Sequence, residues 1–231
     1  DPRLELYNGQ IRVFANDDWP QTLSSVFPTV GAFALGNGSK DAGFLQTVEG
    51  TRSIMAQGTG AGVVLVEAYD TGASSAARLV NVSARNRVGT GDDILIAGFN
   101  ISGPAGTAPK PLLIRAVGPG LAALGVPGTL ADPKLEIFDS GGAKVVENDS
   151  WNASLAAVFS SVGAFALPAV SRDAALVVSL PPGTYTAQVS GVVFLCGNAM
   201  IADAHGANFG PEMSALANCF KSRFGGDDVP F

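Results

Sequence analysis

The chain repeats itself, and no other feature constrains its fold as much, because a segment that recurs has to close in the same way twice. Asp1-Pro2-Arg3-Leu4-Glu5-Leu6-Tyr7 returns as Asp132-Pro133-Lys134-Leu135-Glu136-Ile137-Phe138, an offset of 131 residues. Asn16-Asp17-Asp18-Trp19 returns as Asn148-Asp149-Ser150-Trp151, and Val30-Gly31-Ala32-Phe33-Ala34-Leu35 recurs letter for letter at 162–167, at an offset of 132 after one inserted residue. Gly50-Thr51 matches Gly183-Thr184, Gln57-Gly58 matches Ser190-Gly191, and 62–66 matches 197–201 more weakly. A second overlap links Leu79-Val80-Asn81-Val82 and Gly91-Asp92-Asp93-Ile94 to Leu216-Ala217-Asn218-Cys219 and Gly226-Asp227-Asp228-Val229. Residues 1–77 are therefore expected to be the back part of a first repeat unit and 78–206 a complete second unit. Residues 207–231 are read as a linker and the opening strand of a third.

Within a unit the apolar residues alternate with polar ones, the pattern of a strand with one buried face. Val80, Val82 and Ala84 alternate with Asn81, Ser83 and Arg85; Leu135 and Ile137 with Lys134 and Glu136; Tyr185, Ala187 and Val189 with Thr184, Thr186, Gln188 and Ser190. The stretches 94–101 and 111–117 are more continuously apolar, as expected of central strands. Turn-forming residues separate the runs at 139–142, 181–183 and 103–106. One segment per unit has helical spacing instead. Leu155, Val158 and Phe159 follow the possible cap Asn152, and Leu23, Val26 and Phe27 follow Pro20, with Pro28 expected to end that turn. The expected fold is all-β: an antiparallel β-sandwich of Greek-key or jelly-roll type, repeated in tandem, with one short helix per repeat.

Composition agrees with strands and turns. Gly 29 and Pro 14 among 231 residues disfavour a helical bundle, while 47% hydrophobic residues disfavour disorder. The net charge of −6 and the absence of a basic run argue against nucleic acid as a partner, and no apolar run is long enough for membrane insertion.

The runs 79–85 and 88–99, then Leu113-Ile114-Arg115-Ala116-Val117-Gly118-Pro119 and Leu130-Ala131-Asp132-Pro133, resemble a repeat of large secreted or surface proteins of environmental bacteria. The second half, 135–151 followed by Leu180-Pro181-Pro182-Gly183-Thr184-Tyr185-Thr186, is similar to the bacterial pre-peptidase C-terminal β-sandwich family. That resemblance implies an extracellular or cell-surface accessory module, exported with enzymes and adhesins, with no catalytic residues to carry over. Residues 192–196 and 220–231 depart from the repeat.

Chemistry-bearing residues are few. His205 is the only histidine, so a nucleophile–base arrangement has one possible base, and no nucleophile elbow or phosphate loop occurs. Gly58-Thr59-Gly60-Ala61-Gly62 is read as a hairpin turn between strands. Asp17, Asp18 and Asp149 are candidate calcium ligands, because calcium takes carboxylate oxygens at loops; ordinary turn chemistry is the competing explanation. Cys196 and Cys219 fall near the last strand of one unit and the first of the next, where a disulfide would staple units; two buried thiols are the alternative. Trp19 and Trp151 occupy equivalent positions, which favours a buried role over a sugar-stacking one.

Two functions remain. The first is an extracellular structural or adhesive repeat, not an enzyme, whose partners are other copies of itself, joined head-to-tail when residues near 213–231 donate a strand to the open first unit of the next copy. The second is an accessory module of a secreted enzyme that binds carbohydrate or substrate, with surface glycans as partners.

Overall fold

The structure, a computed structural model, describes residues 1–191 apart from 61, 73–78, 90 and 105. It is built mostly of antiparallel sheets with a few short helices, an all-β fold. Two compact units are present, Asp1–Ser83 and a second that begins at Ala84.

In the first unit β1 (Pro2–Asn8), β2 (Ile11–Asn16) and β3 (Ser53–Gly58) form one sheet in the order β2-β1-β3. A 3-10 turn, Gln21–Ser25, and the single-turn helix α1 (Phe27–Val30) lie between β2 and β3 in sequence. The second unit contains β4 (Leu95–Ile101), β5 (Lys110–Ala116), α2 (Pro119–Ala122), β6 (Pro133–Asp139) and β7 (Lys144–Asn148). A 3-10 turn, Ala153–Leu155, follows and leads into α3 (Ala156–Ser161), β8 (Ala174–Leu180) and β9 (Gly183–Gly191). These strands make a four-stranded sheet, β4-β9-β6-β7, and a two-stranded one, β5-β8.

The sequence correspondence extends to hydrogen-bond register. Pro2 faces Gly58 and Leu4 faces Ala56 across β1 and β3, while Pro133 faces Gly191 and Leu135 faces Val189 across β6 and β9. Leu4 faces Asn16 as Leu135 faces Asn148, and the ladder shifts by one residue between Leu6 and Tyr7 as it does between Ile137 and Phe138. The inserted residue sits in the turn. Gly9-Gln10 joins β1 to β2, with Gly9 in the left-handed region at φ 59°, whereas Ser140-Gly141-Gly142 closes the β6–β7 hairpin through the Asp139 N–H and the Ala143 carbonyl (3.0 Å).

The apolar alternation decides which faces are buried. Leu135 and Ile137 are 1% and 0% exposed, and each burial stabilises by about 1.5–3 kcal/mol relative to an exposed side chain. They pack in one cluster with Tyr185 and Ala187 of β9, Ala174, Leu176 and Leu180 of β8 and Ala116 of β5, so both sheets of this unit contribute to one core.

Several expectations are corrected. Residues 79–89 alternate in sequence but join no sheet, and Val80 stands 94% exposed, because alternation prepares a face without providing a partner strand. Among the described residues the apolar strand β4 is an edge strand rather than a central one, and β5 has only β8 as a neighbour. After β3 ends at Gly58, residues 62–72 form no strand, so among the described residues nothing makes 58–62 a hairpin turn; Val63 is fully exposed. Pro28 lies inside α1 near its start, where the missing N–H costs nothing, and Gly31 at φ 73° ends the helix.

Candidate functional site

The most elaborate polar arrangement grows from the loop that follows the hairpin in each unit. The Asn148 side chain donates to the Ser150 carbonyl (2.9 Å) and accepts the Ala175 N–H (2.9 Å), tying the end of β7 to the start of β8. The Trp151 N–H donates to the Asp173 carbonyl at 2.8 Å, and its indole Nε1 donates to Ser171 Oγ and to the Pro168 carbonyl, both at 3.2 Å. Ser171 Oγ in turn donates to Asp173 Oδ2 at 2.6 Å.

The first unit contains the same knot at the same spacing. Asn16 bridges the Asp18 carbonyl (2.8 Å) and the Gly43 N–H (2.9 Å), the Trp19 N–H meets the Asp41 carbonyl at 2.8 Å, Trp19 Nε1 donates to Ser39 Oγ at 3.1 Å, and Ser39 donates to Asp41 Oδ2 at 2.7 Å. Both indoles are buried, 7% exposed for Trp19 and 9% for Trp151. Each packs on a helix phenylalanine, Phe27 at 5.4 Å and Phe159 at 5.3 Å between ring centroids. A buried indole needs a partner for its N–H, and Ser39 and Ser171 supply it.

The knots differ in what reaches the aspartate. Asp173 has no exposed surface, and its carboxylate also accepts the N–H groups of Gly118 (2.8 Å) and Gly120 (3.0 and 3.1 Å to the two oxygens). Both glycines are required by space. A Cβ on Gly118 would run into the Leu130 carbonyl oxygen, and one on Gly120 would lie 2.9 Å from Leu167 and 3.0 Å from the Asp173 carboxylate. Arg115, just upstream, lays its guanidinium over Phe159 (4.9 Å) and Phe165 (4.4 Å) and donates to the Phe165 carbonyl at 2.6 Å. Asp41 is half-buried and, among the described residues, accepts from Ser39 alone.

A charged cluster decorates each hairpin. Glu5, 3% exposed, accepts from Arg12 (2.6 Å), Arg3 (3.1 Å) and the Tyr7 hydroxyl (2.6 Å); the Tyr7 bond, then the two arginines, hold its carboxyl below the usual range against the opposing effect of burial. In the second unit Lys134 and Lys144 bracket Glu136 and Glu147 at 2.6–3.1 Å, and the hydrogen bonds from Lys144 and Lys134 bring the Glu147 pKa to about 2.

Asp17, Asp18 and Asp149 are exposed, Asp18 pairs with Lys40 at 3.0 Å, and no group of three or more metal-ligating side chains occurs among the described residues. His205, Cys196, Cys219 and the third-unit segment lie outside the described residues. An open hollow of about 290 Å³ beside Trp19 is lined by Asp18, Gln21, Asn37, Gly38, Ser39 and Lys40, and its one acid and one base, Asp18 and Lys40, face each other in an ion pair at 3.0 Å. Reading the sequence for chemistry missed Ser39, Asp41, Ser171 and Asp173. The signal was present, since Ser39-Lys40-Asp41 and Ser171-Arg172-Asp173 stand at the same offset of 132 as the duplicated Trp. Comparisons with protein-family models, curated proteins and solved structures find no match to this chain.

Proposed function

We propose that the chain is an extracellular, non-catalytic β-sandwich repeat, a structural or adhesive module of the pre-peptidase C-terminal type, whose copies join head-to-tail. The observation that carries this reading is the duplicated knot, Asn16-Trp19-Ser39-Asp41 and Asn148-Trp151-Ser171-Asp173, set in hairpins of identical register. A polar network whose asparagine, tryptophan, serine and aspartate bonds recur in both units, its members bonding to one another, is read as serving folding and not turnover. The sandwich reading draws support from the single core shared by β5, β6, β8 and β9. The assembly reading draws support from the sheet order β4-β9-β6-β7: the last strand of a unit, β9, takes a strand of the β4 type on its outer side. An open edge is a template for another strand. The segment 213–231 echoes the sequence that leads into β4, which makes it the donor of choice. The burial of both tryptophans weighs against a sugar-stacking platform.

Sedimentation velocity over a range of concentrations tests this, on the intact chain and on one ending at Gly210. The intact chain is expected to gain mass with concentration and the shortened one to stay monomeric. Two monomers of equal thermal stability would overturn the assembly. Binding on a glycan array by the intact chain would favour the accessory-module alternative.

A further inference from the structure

The charged faces of the two hairpins match position for position except at one corner. In the second unit Lys134 Nζ bonds Glu136 (3.1 Å) and Glu147 (3.0 Å), and Lys144 Nζ bonds Glu136 (3.1 Å) and Glu147 (2.6 Å), so two cations and two carboxylates close a square. The first unit has Arg3, Glu5 and Arg12 where the second has Lys134, Glu136 and Lys144, and Glu5 faces Ala15 across the ladder as Glu136 faces Glu147. The fourth corner thus holds a methyl group in place of a carboxylate. Two guanidiniums share one acid, which leaves one positive charge uncompensated among the described residues.

Glu5 is spent on holding this pair. Its Oε1 accepts from Arg3 Nε and Arg12 Nη1, its Oε2 accepts from the Tyr7 hydroxyl, and the residue is buried. Both terminal nitrogens of Arg3, and Nε and Nη2 of Arg12, stay outside that bonding, and the two side chains are 42% and 52% exposed. Guanidinium N–H groups held in place and open to solvent match a carboxylate, which accepts two parallel bonds from such a fork. The hairpin alone builds this face: in the second unit the square draws on no residue outside β6 and β7 among the described residues, and Lys144 and Glu147 are exposed there too. We propose that the face of the β1–β2 hairpin carrying Arg3 and Arg12 is a carboxylate-binding site, centred on the corner left by Ala15, whose ligand is a glutamate or aspartate side chain of an acidic polypeptide. The second unit points to that class of ligand, because a glutamate side chain, Glu147, fills the same corner there. One exposed carboxylate is held weakly by such a pair, so a ligand with several carboxylates in a row gains by rebinding. The site adds a ligand to the adhesive module and is independent of how its copies assemble.

The test titrates fluorescein-labelled hexaglutamate with the intact chain at low ionic strength, followed by anisotropy. One saturable site per chain is expected, with affinity that falls as salt is added and no binding of hexaglutamine. Arg3→Gln and Arg12→Gln should each weaken binding about fivefold or more. Ala15→Glu is the sharper variant, because it supplies the missing carboxylate from the chain itself, as Glu147 does in the second unit. It should abolish binding and melt no lower than the parent. Val145→Glu adds the same charge at an exposed position of the other hairpin and should leave the affinity unchanged. Absence of saturable binding overturns the proposal, as does binding that survives Ala15→Glu, or a loss with Val145→Glu as large as that with Ala15→Glu. Tighter binding of a galacturonate hexamer than of hexaglutamate would overturn the assignment of a polypeptide as the ligand.

Discussion

Asp173 receives the N–H of Gly120 on both carboxylate oxygens, at 3.0 and 3.1 Å, with no part of the aspartate exposed to solvent. The bond spans 53 residues of sequence, so it holds the segment after β5 against the start of β8. Asp41, at the equivalent place in the first unit, makes no such long-range bond among the described residues.

The contrast predicts unequal costs for the same change. Asp173→Ala strands two buried amide donors and the Ser171 hydroxyl, and is expected to cost about 2–5 kcal/mol. Asp41→Ala removes only the Ser39 bond on a half-buried residue and is expected to cost about 0.5–1.5 kcal/mol. Urea unfolding of both variants checks this, and equal costs would refute it.

Trp19→Ala and Trp151→Ala should each cost about 3–5 kcal/mol, since each removes a buried indole that packs on a helix phenylalanine and closes the serine–aspartate knot. Differential scanning calorimetry on the two variants measures it. A loss under 1 kcal/mol for either would contradict the buried role.

Arg115→Ala is expected to lose about 1–3 kcal/mol, from the stacking on Phe159 and Phe165 and the bond to the Phe165 carbonyl. Arg115→Lys should recover little, because a lysine cannot stack a planar group on two rings while donating sideways. Full rescue by lysine in a urea titration would show that charge alone matters.

The pH dependence of the β6–β7 hairpin follows from Glu147. Its folded-state pKa, about 2, lies below the ordinary carboxylate value of 4.5, so its contribution is complete above pH 4.5 and is lost as the pH falls from there through 2. Because the side chain is largely solvated, the effect is small. The stability difference between the parent and Glu147→Gln should be constant near neutrality and should shrink below pH 4.5. A difference that grows on acidification would be contrary.

What was legible in the sequence, and what was not, follows from the physics of each feature. Trp19 and Trp151 were readable as buried because duplication at a fixed offset is a strong constraint on a costly residue. The strand content of β6 and β9 was readable because alternation reports a buried face directly. Pairing was not. Val80 and Val82 alternate as well as Leu135 and Ile137 do, yet they are 94% and 73% exposed, since a ladder needs a second strand that local pattern does not specify. The aspartates that matter, Asp41 and Asp173, were overlooked in favour of Asp17, Asp18 and Asp149. A single acidic residue after Ser-Lys or Ser-Arg carries no local mark of burial, and its role comes from partners distant in sequence, the Trp19 N–H at Asp41 and the Trp151, Gly118 and Gly120 N–H groups at Asp173.

The hairpin turn absorbs the one-residue difference between the copies. Gly9-Gln10 in one and Ser140-Gly141-Gly142 in the other leave the register beyond them unchanged, down to the shift opposite Val13 and Val145. The turn therefore acts as a buffer for chain length, while the stretch from Asn148 to Ala175 is gauged at both ends by the asparagine bond. A protein engineer can thread a short epitope between Ser140 and Gly141 and keep the fold. A single residue added inside β6 would exchange its inward and outward faces and bring Glu136 where Ile137 now sits.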